Sequence, residues 1–244
     1  MTERVDRLFK RLRAVKQYPI CVEKADIVTR VYSENEGLPM IVKRAMGVAA
    51  FWDERTIFIE DDELLVGNLA SRPMGMEVTP IGAAWPEDDF KTILDDGLMT
   101  ITEEDHAKMR ALDDYWLGRG RSFDEHRAHY YDNNERLMAY GLRGINVPPY
   151  SKNMVQGSAG DGWGMKNPVG LITPDVRLML SKGFEQYVEE ARQEMRDLHY
   201  LTDQDMDKAN FLWGTIIAFE GLIRLGYRYA DLAAKMAAEC AAPV

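Results

Sequence analysis

Two short apolar runs, Ile57–Glu60 and Leu64–Gly67, flank the acidic cluster Asp61, Asp62 and Glu63. Runs of this kind around a compact polar turn predict a β-hairpin. The hairpin is the one feature of the chain that demands strand pairing, because the segments around it have helical periodicity. Val5, Leu8, Phe9 and Leu12 fall at i, i+3, i+4 and i+7, a single apolar stripe on a first helix that Pro19 stops. Cys21–Tyr32 and Met40–Trp52 are two further helical patterns, separated by the turn Asn35–Pro39.

Beyond the hairpin, the prolines and glycines of Arg72–Pro86 leave little room for a ladder or a helix. Thr102–Asp105 and Ser122–Glu125 read as capping boxes, opening helices over about 103–117 and 123–142. Gly141–Gly170 is a long loop centred on GSAGDGWG, and loops of that length in compact chains are usually functional. Thr173-Pro174-Asp175 supplies an N-cap, an N1 proline and a first-turn acid for a helix running to about Leu198. Thr202–Asp205 opens the last helix. The expected class is mainly α with a small β-hairpin.

At 244 residues the chain is long enough for a sizeable core. Its net charge of −10, with no basic stripe, argues against a nucleic-acid backbone as main ligand. The longest apolar run, Phe211–Phe219, is too short to span a bilayer, and the amino terminus lacks the apolar core of a signal peptide. Cys21 and Cys240 are the only cysteines, so a reducing cytoplasm is expected.

Several stretches, taken in order, resemble the N-terminal region of glycyl radical enzymes of the pyruvate formate-lyase, dehydratase and decarboxylase branch. They are ICVEKADIVTRVYSENEGLP (20–39), EGLPMIVKRA (36–45), the hairpin with its ELLVGN, LITPDVRLMLSKGF (171–184) and the RYADLA ending of the final helix (228–233). The resemblance implies that residues 1–244 are an incomplete pyruvate formate-lyase-type N-terminal domain, an outer-shell portion of the family's ten-stranded α/β barrel. It further implies an anaerobic lyase cleaving C–C or C–heteroatom bonds of a small organic acid or alcohol. The glycyl radical of the complete enzyme is installed by an S-adenosylmethionine/iron–sulfur activase. The implied partners are that activase, the C-terminal part and, for the complete enzyme, a second copy; no cofactor is expected to bind this segment directly.

Two local matches to the family's radical loops are declined. Cys21-Val22-Glu23 spells the thiyl loop's Cys-x-Glu, but in the register of an amphipathic helix start, where cysteine is a small buried hydrophobe. Arg224–Tyr227 echoes the glycyl loop one residue short and sits inside a helical pattern, which makes Gly226 a close-packing position. No catalytic residue is therefore assigned, and the segment is expected to be inactive alone. By resemblance, Trp163 and Leu171 are the substrate-binding candidates. Leu171 stands where relatives often carry a polar residue, so the resemblance implies that the pair forms an apolar wall suited to an aryl or alkyl group. The competing reading makes Trp163 a loop anchor packed on helices. At Asp61-Asp62 many relatives have Asp-Gly, which implies a turn longer than two residues.

His126 and His129, at i and i+3, share a helix face with acids nearby but match no metal-site spacing, and they read as a solvated charged face. No metal is assigned. His106 and His199 read as surface or capping residues. From other classes, a non-catalytic helical binding module and a metal-dependent hydrolase built on His126 and His129 are the competing readings. A fragment predicts apolar surface left uncovered where the rest of the barrel packs.

Overall fold

The computed structural model describes residues 2–68, 70–78, 94, 95, 97–116 and 175–241. They fall in two compact units, one of Met1–Val78 with Pro174–Val244 and one of Thr79–Thr173. In the second unit the described elements are β3 (Met99–Thr100) and α4 (Glu103–Trp116). The hydroxyl of Thr102 caps α4, accepting from Asp105 N at 3.1 Å.

The first unit contains α1 (Glu3–Ala14), β1 (Tyr18–Cys21), α2 (Glu23–Glu34), α3 (Met40–Glu54), β2 (Met76–Glu77), α5 (Val176–Lys182), α6 (Phe184–Arg196) and α7 (Asp203–Ala241). Its core is the apolar side of α2 and α3, with Ile20, Val28, Val42 and Val78 fully buried. Helix α7 has 39 residues, about 58 Å of helix. It starts at a reciprocal box: Asp205 N donates to Thr202 Oγ1 at 3.2 Å and Thr202 N to Asp205 Oδ2 at 3.0 Å.

Packing against α3 and α6 stabilises that length, since propensity alone does not. Phe219 packs on the rings of Phe184 and Tyr187, with centroids 5.4 and 5.6 Å away. Arg224 makes a bidentate pair with Asp53 at 2.8 and 2.7 Å. Where α7 crosses α3, a Cβ placed on Gly221 would lie 2.8 Å from Ala49 Cα, so glycine is what lets the two backbones meet.

Several expectations are corrected. The two runs around Asp61-Asp62 do not pair as a hairpin. The turn forms, with Glu63 N donating to Glu60 O at 3.4 Å, but flanking donors go to side chains: Phe58 N to Asn68 Oδ1 and Glu60 N to Glu63 Oε2, both at 3.3 Å. The turn is also no longer than two central residues. Asp62 itself takes the left-handed conformation, φ 70°.

The strand pairing lies elsewhere. β1 and β2 run parallel, Ile20 opposite Met76 and Cys21 opposite Glu77, so Cys21 ends a strand and residues 76–77 do form a ladder. The helix expected to reach Leu198 breaks at Gly183 (φ 75°), and its cap is the Asp175 carboxylate, accepting from Leu178 N at 3.0 Å. Gly226 is not a close-packing position: a Cβ there meets nothing within 4 Å, and Gly214 and Gly221 hold that role. Ser122–Glu125, the 123–142 helix, the 141–170 loop and His126 and His129 lie outside the described residues.

Candidate functional site

Trp163 and Leu171, the residues singled out for substrate contact, also lie outside the described residues. Within the first unit, polar chemistry concentrates around the segment from Arg55 to Val78, which runs as a strap between the end of α3 and β2.

The strap is organised by one buried amide. Asn68 Nδ2 donates to the carbonyls of Thr56 at 2.9 Å and Ala70 at 2.6 Å, while Oδ1 accepts from Phe58 N and from the hydroxyl of Tyr229 on α7. Asn68 N donates back to that hydroxyl at 3.0 Å, and its carbonyl accepts from Arg55 Nη2. Asn68, Arg55 and Tyr229 are all buried. Burial lowers the Arg55 pKa, and its guanidinium lies 4.7 Å from the ring centre of Phe51. Arg228 Nη2 completes the cluster by donating to the Arg55 carbonyl at 2.7 Å. Backbone groups of the strap thus find partners despite the missing ladder.

Two carboxylates fasten its edges. Glu77 Oε1 accepts from Lys24 N at 2.7 Å and Oε2 from Ser71 N at 3.1 Å. It therefore acts as the N-cap that Val22 cannot be for α2. Glu23 accepts from Thr56 N at 3.0 Å and Thr56 Oγ1 at 2.8 Å. The Cys21 thiol is buried beneath Gly75, where an added Cβ would sit 2.8 Å from Sγ and 2.9 Å from the Arg72 carbonyl.

These placements decide what the cluster can do. Both ends of the Cys-x-Glu tripeptide are committed to packing and backbone binding, and Gly226 sits within a continuous helix rather than a tight loop. Neither suits radical transfer. The open cleft of about 250 Å³ between α3 and α7 has Thr215 as its polar lining residue, whose hydroxyl donates to Phe211 O at 2.9 Å. The described side chains of this unit position a strap; they bring no acid, base and nucleophile together.

Burial raises the Glu77 pKa above its ordinary 4.5, against the opposing effect of its two N–H donors. The folded protein then holds this proton more tightly than the unfolded one, so the contribution to stability is complete below pH 4.5 and is lost as pH rises through the folded value. Urea titrations of wild type and Glu77→Gln, run from that pH to neutrality, should show a gap that narrows as pH rises. A constant gap would mean that the carboxyl does not titrate differently on folding.

Against known proteins, the family model for pyruvate formate lyase-like proteins matches residues 1–244. The probable dehydratase YbiW of Escherichia coli is 26% identical over 97% of this chain and 28% of its own length. Isethionate sulfite-lyase of Oleidesulfovibrio alaskensis is 26% identical over 94% and 27% respectively. A solved structure from work on 1,2-propanediol dehydration in Roseburia inulinivorans shares the fold, with TM-score 0.78 and 24% identity over 98% of this chain and 27% of that one. The chain thus spans little more than a quarter of these relatives. Nothing in the comparisons favours a stand-alone binding module.

Proposed function

Because the chain belongs to the pyruvate formate lyase-like family, we propose that it is the N-terminal segment of an anaerobic glycyl radical lyase that breaks C–C or C–heteroatom bonds of a small organic acid or alcohol. The observation that carries this reading is the unequal coverage: nearly all of this chain aligns with 28% of the probable dehydratase YbiW. The thiyl cysteine and radical glycine are assigned to the remaining part of the enzyme, and this segment contributes outer shell to the barrel.

Exposed apolar side chains support the assignment. Leu64, Leu65, Leu180 and Leu201 are 78%, 92%, 83% and 83% exposed. In this reading those faces receive the rest of the barrel. Trp163 and Leu171 form an apolar portion of the substrate pocket, which favours an aryl or alkyl group: a polar group placed there loses water partners at about 1–3 kcal/mol. The activase, a second copy and a cytoplasmic, anaerobic setting complete the reading. Among the described residues no helix is long and apolar enough to cross a membrane.

The test is expression together with the sequence encoded directly downstream, joined or separate, followed by anaerobic activation and electron paramagnetic resonance. A glycyl radical doublet with both parts present, and none from this chain alone, is the expected result. A downstream frame without Cys-x-Glu followed by Arg-Val-x-Gly-Tyr, or two parts that form no complex, would overturn the proposal.

A further inference from the structure

Helix α1 is held to its unit mainly by ionic contacts. None of its residues is buried, and Phe9 and Leu12 on its apolar stripe are 43% and 45% exposed. It carries net charge +3 in a chain of −10. Arg4, Arg7 and Arg11 share one face. All three reach the same turn. Arg4 Nε donates to the Asp62 carbonyl at 2.5 Å, Arg7 grips the Asp62 carboxylate through Nε (2.8 Å) and Nη2, and Arg11 Nη2 donates to Glu60 Oε2 at 3.1 Å. Among the described residues, every side-chain hydrogen bond that α1 makes outside its own turns ends on this one acidic turn.

The turn depends on the helix in return. Asp62 holds φ 70°, a conformation that a residue with a Cβ disfavours. Arg4 and Arg7 fasten its carbonyl and its carboxylate in that geometry. The four consecutive acids Glu60, Asp61, Asp62 and Glu63 would repel one another without the basic face opposite.

We propose that α1 and the turn at residues 60–63 form an ionic latch, in which α1 releases as a unit from a body that stays folded. Release uncovers the apolar stripe of α1 and frees the turn that leads into the exposed run Leu64–Val66. The lever is ionic strength, because salt shortens the reach of these half-exposed pairs from about 10 Å at 0.1 M to about 3 Å at 1 M and leaves apolar burial in place. The inference does not depend on the lyase reading, since it concerns contacts within this chain.

Hydrogen exchange read by mass spectrometry on the full chain tests it. Between about 0.1 and about 1 M NaCl, opening of α1 should increase roughly tenfold while α2 is unchanged. Asp62→Asn keeps a residue that tolerates left-handed φ, so the turn survives while the charge goes. It should raise α1 opening at low salt part of the way to the high-salt level, as should Arg7→Gln, with the remaining salt response due to Arg11–Glu60. The double variant should open no further than either single one. Exchange of α1 in step with α2 under all conditions would overturn the proposal, as would a salt response of undiminished size in both variants.

Discussion

Asn68→Ala is expected to lower the unfolding free energy by about 3–5 kcal/mol, a large fraction of what a domain of this size holds. The amide makes four side-chain hydrogen bonds inside a buried cluster, two donated to the carbonyls of Thr56 and Ala70 and two accepted from Phe58 N and the Tyr229 hydroxyl. Alanine strands the Ala70 carbonyl and Phe58 N and takes away the acceptor of the Tyr229 hydroxyl, which keeps its bond from Asn68 N, while the carbonyl of exposed Thr56 turns to water. A fully stranded buried group costs about 1–3 kcal/mol, with partial relief as the strap shifts. Asn68→Asp separates the contributions. It keeps the acceptors, loses both donors and buries a charge, so it should cost at least as much. Tyr229→Phe removes one hydroxyl and should cost about 1–2 kcal/mol. Urea unfolding followed by circular dichroism measures all three. A loss below about 1 kcal/mol for Asn68→Ala would show that the strap is held by something other than this hub.

The second large effect is steric. Gly221→Leu should destabilise by about 3 kcal/mol or more, because the first added carbon already meets Ala49 Cα and Cβ at 2.8 Å. No rotamer relieves a contact with the backbone of α3, so the two helices have to separate. Separation also stretches the Arg224–Asp53 pair one turn further along α7. Gly226→Ala on the same helix is the control of opposite sign. Its Cβ meets nothing within 4 Å, so alanine should stabilise by about 1 kcal/mol through helix propensity. Thermal unfolding of the pair decides it. Equal shifts for the two variants would refute the close crossing.

Local chemistry was legible in the sequence wherever it acts over a few residues. The Thr202–Asp205 box, the first-turn acids and the i, i+3, i+4 stripes located α1, α2, α3 and α7 to within a few residues. The turn at Asp61-Asp62 was legible too, because its four residues make it. Its supposed ladder was not, since the donors of the flanking runs are claimed by side chains, one of them ten residues away on Asn68. Cys21 read as a helix start because the apolar pattern runs through it. Its pairing with Glu77 depends on a partner 56 residues ahead.

The strap cluster had one trace in the sequence, the GN of ELLVGN, which the resemblance carried without assigning Asn68 a role. Its main partner, Tyr229, lies 161 residues later. Gly226 and Gly221 look alike as letters within one helical pattern, and only the position of α3 distinguishes them.

By itself, then, the sequence determined most of the helices, the local caps at Thr102 and Thr202 and the family, because propensity, capping and periodic apolar burial act through near neighbours and survive in order along the chain. Tertiary structure alone decided which strands pair, which glycine admits a neighbouring backbone, and that a single amide fastens the strap. Each of those depends on groups that only folding brings within hydrogen-bond or van der Waals distance.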